Sequence, residues 1–160
     1  EDCVLSDISA TSIGPNSGGS GAWHIDAPLT QMPEPLPEIP LAVQNAWIID
    51  DFTVNNGATH VVPKSHLSRK KPGWGYDDIE NEIILSAPAG SLAMWTSHTW
   101  HKSGENITNS PRRAILGYYI RSWIRPWSDF TRVLSPEQAK QYSPTARYLL
   151  GYSAYPPNRG

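Results

Sequence analysis

The chain has one cysteine, Cys3, among 160 residues, so no internal disulfide can staple it and the multi-cysteine zinc folds are excluded. Charge is also scarce: Asp, Glu, Lys and Arg make up 18%, and 13 basic against 15 acidic side chains leave a formal net charge of −2. A polyanion is held by a concentrated basic surface, so nucleic acid is not an expected partner. No run approaches the roughly 20 consecutive apolar residues that cross a bilayer. No basic segment followed by an apolar one opens the chain either. A membrane partner is not expected, and a cytoplasmic location is.

Proline (15) and glycine (12) are plentiful, and 39% of the residues are hydrophobic. Many turns around one packed core suit a mainly β chain with few short helices, read as a single domain over 1–160. Residues 11–21 are small, polar and glycine-rich and read as a loop, with regular structure expected from Ala22 onward. Five prolines between Pro28 and Pro40 remove backbone donors, which predicts an extended surface loop over 28–40. Short apolar runs at Leu41–Ile49, Ala58–Val62, Glu82–Ser86 and Ser91–Thr96 read as strands. The turn at Asn55-Asn56-Gly57 would join the first two as a hairpin, and Pro88-Ala89-Gly90 the last two. Arg69-Lys70-Lys71 reads as solvated loop. From Arg112 to Arg121 the pattern has period two, with Arg112, Ala114, Leu116, Tyr118 and Ile120 facing inward. Ser135-Pro136-Glu137 starts a short helix, and the tail from Leu149 to Gly160 reads as coil.

His24-Ile25-Asp26 places an imidazole and a carboxylate two residues apart, on one face of an extended segment, where both reach one ion. His98 and His101 each offer a second imidazole, 74 and 77 residues further on. Two imidazoles and one carboxylate on one side of an ion leave the other side open, as in non-haem Fe(II) oxygenases. Arg112 lies eleven residues beyond His101. An inward guanidinium needs an anion, and it could grip the far carboxylate of a 2-oxo diacid whose keto-acid end chelates the metal. His60 and His66 read as structural. Of seven tryptophans most are expected in the core, with Trp47 a candidate for the pocket wall.

Four blocks carry a family resemblance: Trp23-His24-Ile25-Asp26, the run from Asn56 to His66, the turn Pro88-Ala89-Gly90-Ser91, and His101-Lys102-Ser103-Gly104-Glu105-Asn106 continuing to Arg112-Arg113-Ala114. In their order and spacing the chain, from Ala22 to Tyr152, resembles the phytanoyl-CoA dioxygenase family of Fe(II)/2-oxoglutarate-dependent oxygenases. The resemblance implies a double-stranded β-helix, a jelly-roll, cupin-like barrel. It makes His24, Asp26 and His101 the iron ligands, selects His101 over His98, and leaves His98 at the rim. It also makes Arg112 the 2-oxoglutarate anchor, with Ser103 and Asn106 as polar support near that co-substrate.

The implied reaction consumes O2 and 2-oxoglutarate and hydroxylates a small-molecule substrate, releasing succinate and CO2. Related halogenases lack the carboxylate that Asp26 supplies, so hydroxylation is expected. The family commonly has arginine where His60 stands and glycine where Lys64 stands. It usually carries a helical region ahead of the His-x-Asp segment, so an N-terminal helical portion is expected to be missing from this chain. The alternative is a non-catalytic jelly-roll carbohydrate-binding module whose histidines are structural. A zinc hydrolase with the same ligands would need a general base that the sequence does not offer.

Overall fold

The computed structural model describes residues 3–17, 21–73, 75 and 78–153. Part of the glycine-rich loop, Trp74, and the tail beyond Ser153 therefore lie outside the described residues. Seven strands run β1 (Cys3–Ile13), β2 (Ala42–Ile48), β3 (Thr59–Val61), β4 (Ile83–Ile84), β5 (Leu92–Thr96), β6 (His101–Ser103) and β7 (Arg112–Arg121). Three short helices close the described chain: α1 (Phe130–Val133), α2 (Pro136–Ala139) and α3 (Pro144–Leu149). The strands form two antiparallel sheets, β1-β7-β2-β5 and β4-β3-β6, and the mainly β jelly-roll expected from the sequence is the fold found.

β7 keeps its period: Arg112, Ala114, Tyr118 and Ile120 are buried while Arg113 and Ile115 are exposed. β2, between β7 and β5, is buried on both faces for most of its length. Gly117 of β7 fits beneath β2 because a Cβ there would sit 2.7 Å from Asn45 Oδ1, the atom that accepts the Gly117 amide at 2.9 Å. Burial of Ile48, Phe52, Ala58 and Ala114 ties the two sheets together.

Several expectations need correction. Regular structure begins at Cys3, not Ala22, because β1 pairs along β7 from Cys3↔Arg121 to Ile13↔Arg112. Neither expected hairpin forms. β2 and β3 lie in different sheets, as do β4 and β5, so both turns are crossovers between layers. The proline-rich segment is not all surface: Leu29 and Leu36 are fully buried, and Leu29–Gln31 make one 3-10 turn. The basic run straps it down, with Arg69 Nε donating to the Leu36 carbonyl at 2.6 Å and Lys71 Nζ to the Thr30 carbonyl at 2.8 Å. α2 has the expected Ser135 cap, completed by a capping box with Gln138. α3 starts with the same Ser-Pro signal at Ser143-Pro144. Lys64 adopts φ +65, a left-handed conformation that glycine takes without strain, which explains the glycine common in the family at this position.

Candidate metal centre

The two halves of the His-Asp-His set meet through the backbone. His24 and His101 form an antiparallel bridge, each donating its amide to the other's carbonyl at 3.0 Å. The Asp26 amide donates to the Ser97 carbonyl at 3.0 Å. The extended segment around His24 thus meets β6 at a single bridged position, and it carries both side chains to β6. The rings of His24 and His101 are 4.2 Å apart. One donor atom from each of His24, Asp26 and His101 lies within 4.8 Å of the other two.

His101 is buried and His24 is exposed. Each Nδ1 lies 2.9 Å from a nearby carbonyl, that of Ala22 for His24 and that of Thr99 for His101. A ring whose Nδ1–H is engaged in this way presents a bare Nε2, the form that ligates metal. Burial, and secondarily the neighbouring His24, lower the His101 pKa to about 4. Burial also raises the Asp26 pKa to about 6, against a smaller lowering by His24. The 3.6 Å contact between His101 Nε2 and Asp26 Oδ1 is therefore no ion pair at neutral pH, since His101 is neutral there. Asp26 Oδ2 is buried without a hydrogen-bond partner. A buried carboxylate oxygen without a donor is costly, and a cation would satisfy it.

Arg112 points inward, as its parity predicts, and is 4% exposed. Its Nη2 donates to the Gly57 carbonyl, and its guanidinium carbon sits 4.3 Å from the Phe52 ring centre. Its Nε has no partner, and burial lowers its pKa against the favourable pull of Asp50. Ser103 Oγ accepts the Gly21 amide at 3.2 Å. Asn106 is fully buried, and its amide is consumed by the loop around it. Nδ2 donates to the Ile13 and Ser110 carbonyls, while Oδ1 accepts from the Thr108 amide and hydroxyl. With both donors and both acceptor sites used, Asn106 braces the loop and cannot also hold a co-substrate.

Trp47 departs from its expected place. It lies on the outer face of β2 beside Met94 and Tyr119, with the opposite parity to Gln44, which faces the metal donors. Of the six described tryptophans only Trp23 is buried; Trp95 and Trp100 are half-buried, and Trp47, Trp123 and Trp127 are exposed, so the expectation that most tryptophans are core fails. His98 is not at the rim: it is buried, with Nε2 3.0 Å from the Pro37 carbonyl. His60 is structural as expected, its Nδ1 3.0 Å from Glu82.

A cavity of about 340 Å3 opens beside His24 and Asp26, walled by Asp7, Ser9, Gln44, Leu116, Tyr118 and Trp127 among others. Leu116 and Tyr118 follow from the period of β7. Asp7 was hidden, because β1 carries a bulge between Leu5 and Asp7 that breaks the alternation from which a strand is read. The Tyr118 hydroxyl donates to the carbonyl of Ala27, the residue after Asp26, and burial followed by the Asp26 charge holds its pKa above the usual phenol range.

Residues 7–114, about two thirds of the chain, match the family model described as Phytanoyl-CoA dioxygenase (PhyH). Over 111 residues the chain is 33% identical to an uncharacterised protein, Rv1501, of Mycobacterium tuberculosis, covering 69% of this chain and 40% of that protein. It is 30% identical over 159 residues to the dioxygenase af480 of Aspergillus fumigatus, covering 96% and 49%. The solved structure of a non-heme monooxygenase, a ThoJ–Ni complex, shares its fold with a TM-score of 0.61 at 23% identity, over 80% of this chain and 48% of that one. The chain spans less than half the length of these relatives.

Proposed function

The chain belongs to the phytanoyl-CoA dioxygenase family, and on that premise we propose that it is the oxygenase domain of an Fe(II)/2-oxoglutarate-dependent hydroxylase of small molecules. The observation that carries this reading is the convergence of His24, Asp26 and His101 donors within 4.8 Å, with a buried, unpartnered Asp26 oxygen among them. His24 Nε2, His101 Nε2 and one Asp26 oxygen would hold the metal on one side, leaving the cavity side for co-substrate, O2 and substrate. Bound there, iron and 2-oxoglutarate supply the oxidising power drawn from O2, with succinate and CO2 as co-products.

The chain's own residues prepare that chemistry. The Ala22 and Thr99 carbonyls fix the ring orientations of the two histidines. Arg112, with its buried unpartnered Nε, would seat the distal carboxylate of 2-oxoglutarate, and Phe52 holds the guanidinium in place from one side. Ser103, two residues beyond His101 on the same face of β6, would add a hydroxyl near that co-substrate. Leu116 contributes an apolar surface to a wall whose other side chains are largely polar.

The test is Fe(II)-dependent conversion of 2-oxoglutarate to succinate by the intact protein, with the His24→Ala and Asp26→Ala variants beside it. Turnover in the parent and its loss in both variants is expected. Turnover that survives either substitution rejects the ligand set, and no metal uptake at all would favour the carbohydrate-binding alternative.

A further inference from the structure

We propose that the cavity beside the metal donors selects a small substrate bearing a protonated or quaternary nitrogen, seated between the Asp7 carboxylate and the Trp127 indole. This deepens the hydroxylase reading above and rests on it.

The charge of the wall is the first observation. The described residues lining the cavity include the carboxylates of Asp7 and Asp26 and the polar Ser9, Gln44 and Tyr118, and no lysine or arginine. Asp26 belongs to the metal. Asp7 does not: its carboxylate accepts one hydrogen bond, from Ser128 Oγ at 3.3 Å, and forms no ion pair with a lysine or arginine among the described residues. A half-buried carboxylate at the wall of a cavity, satisfied only by a hydroxyl, attracts a cation and repels an anion.

Its placement is built into the strand. Before the bulge, Val4 faces inward opposite Ile120; after it, Asp7 and Ser9 face inward opposite Tyr118 and Leu116, and Ile8 faces solvent. One extra residue therefore turns Asp7 from the outer face to the cavity, a known use of bulges beside sites. The same bulge fixes the aromatic wall, because Ser6 Oγ accepts the Trp127 amide at 3.0 Å and the Ser6 carbonyl accepts the Ser128 amide at 2.9 Å. Trp127 lines the cavity while 74% exposed. Asp7 and Trp127 line the same cavity, and an indole and a carboxylate on one wall are the groups that seat an alkylammonium.

The site also has its own space. Tyr118, opposite Asp7, is six residues along β7 from Arg112, about 20 Å of strand, and Arg112 is not among the described residues that line this cavity, so Asp7 is set apart from the anchor for the co-substrate's carboxylate. The volume of about 340 Å3 is at the small end for ligand pockets. A coenzyme A thioester would find no basic side chain for its phosphates among the described lining residues.

The test uses the intact protein loaded with Co(II) and 2-oxoglutarate, with binding read by calorimetry and by tryptophan fluorescence. The probes are choline, its neutral carbon isostere 3,3-dimethylbutan-1-ol, the anion 3,3-dimethylbutanoate, and coenzyme A. Choline should bind at least tenfold tighter than the neutral isostere, with no detectable binding of the other two. Asp7→Asn should abolish that preference, and Trp127→Leu should weaken choline at least tenfold, with Co(II) affinity unchanged in both. Equal binding of choline and its isostere, or a preference that survives Asp7→Asn, overturns the substrate class alone. Failure of Co(II) to bind through His24, Asp26 and His101 sinks the metal reading and this inference together.

Discussion

His24 and His101, 77 residues apart in the chain, are oriented by the same local device: each Nδ1 lies 2.9 Å from the carbonyl two residues before it, Ala22 and Thr99. The backbone bridge between the two residues then sets one ring beside the other. Neither ring depends on a distant side chain for its orientation, so the pair is organised before any metal arrives, with the Asp26 carboxylate beside it.

That carboxylate sets a pH dependence. Below pH about 6 the Asp26 carboxyl is protonated, and a proton there competes with the metal. His101, neutral down to about pH 4, adds no competition between pH 4 and 6. Co(II) affinity should therefore rise with pH across that window by about tenfold per unit through Asp26, and level off with respect to Asp26 above pH 6. Calorimetry in buffers of different ionisation enthalpy should count the proton released; an affinity unchanged between pH 4.5 and 6 would refute the assignment.

The same burial makes Asp26 costly to the metal-free fold. Its folded pKa, about 6, is above its ordinary value of 3.8, so the penalty is absent below pH about 4, grows as pH rises, and is complete above pH about 6. Asp26→Asn should stabilise the metal-free protein at pH 7.5 by roughly 1–3 kcal/mol, with the gain gone at pH 4. Urea unfolding at the two pH values checks this. A destabilised variant at pH 7.5 would show that the buried oxygen has a partner in solution.

Arg112→Lys keeps the charge and discards the fork. A lysine ammonium cannot both hold the Gly57 carbonyl and grip a carboxylate with two parallel bonds. Affinity for 2-oxoglutarate, measured calorimetrically on the Co(II)-loaded protein, should fall at least tenfold while Co(II) affinity stays the same. Unaltered 2-oxoglutarate affinity would move the anchor elsewhere.

What could be read from the sequence follows a physical rule. β7 is legible because its apolar residues recur with period two, an alternation its burial follows except around Leu116 and Gly117, and with it comes the inward direction of Arg112. The donor set was legible because His-x-Asp on extended backbone needs no long-range information to share a face, and the family spacing selected the third ligand. β1 was not, since its bulge splits the alternation into two halves of opposite parity, and Asp7 was lost with it. Asn56-Gly57 and Ala89-Gly90 are legible as turns, but whether a turn folds a strand onto its predecessor or sends it to the opposite sheet depends on partners remote in sequence. The face that Trp47 takes is not legible, because nothing local distinguishes the two sides of a strand that is largely buried on both.

Tyr118 supplies the last prediction, as a residue that positions Asp26 through its neighbour. Its hydroxyl donates to the Ala27 carbonyl, so Tyr118→Phe leaves that carbonyl without its donor and frees the segment that carries the carboxylate. The loss of one such bond costs about 1 kcal/mol of stability, which any structural tyrosine would show. Tyr152 is the matched control: its hydroxyl also donates to a backbone carbonyl, that of Leu134, in the helical C-terminal region, and it is not among the residues lining the metal cavity. Both Phe variants should lose comparable stability in urea unfolding. Only Tyr118→Phe should weaken Co(II) binding, by about three- to tenfold, and alter the visible absorption of the bound cobalt, because only there does the lost bond bear on a ligand. Equal Co(II) affinity and spectra in the two variants would reduce Tyr118 to a packing role.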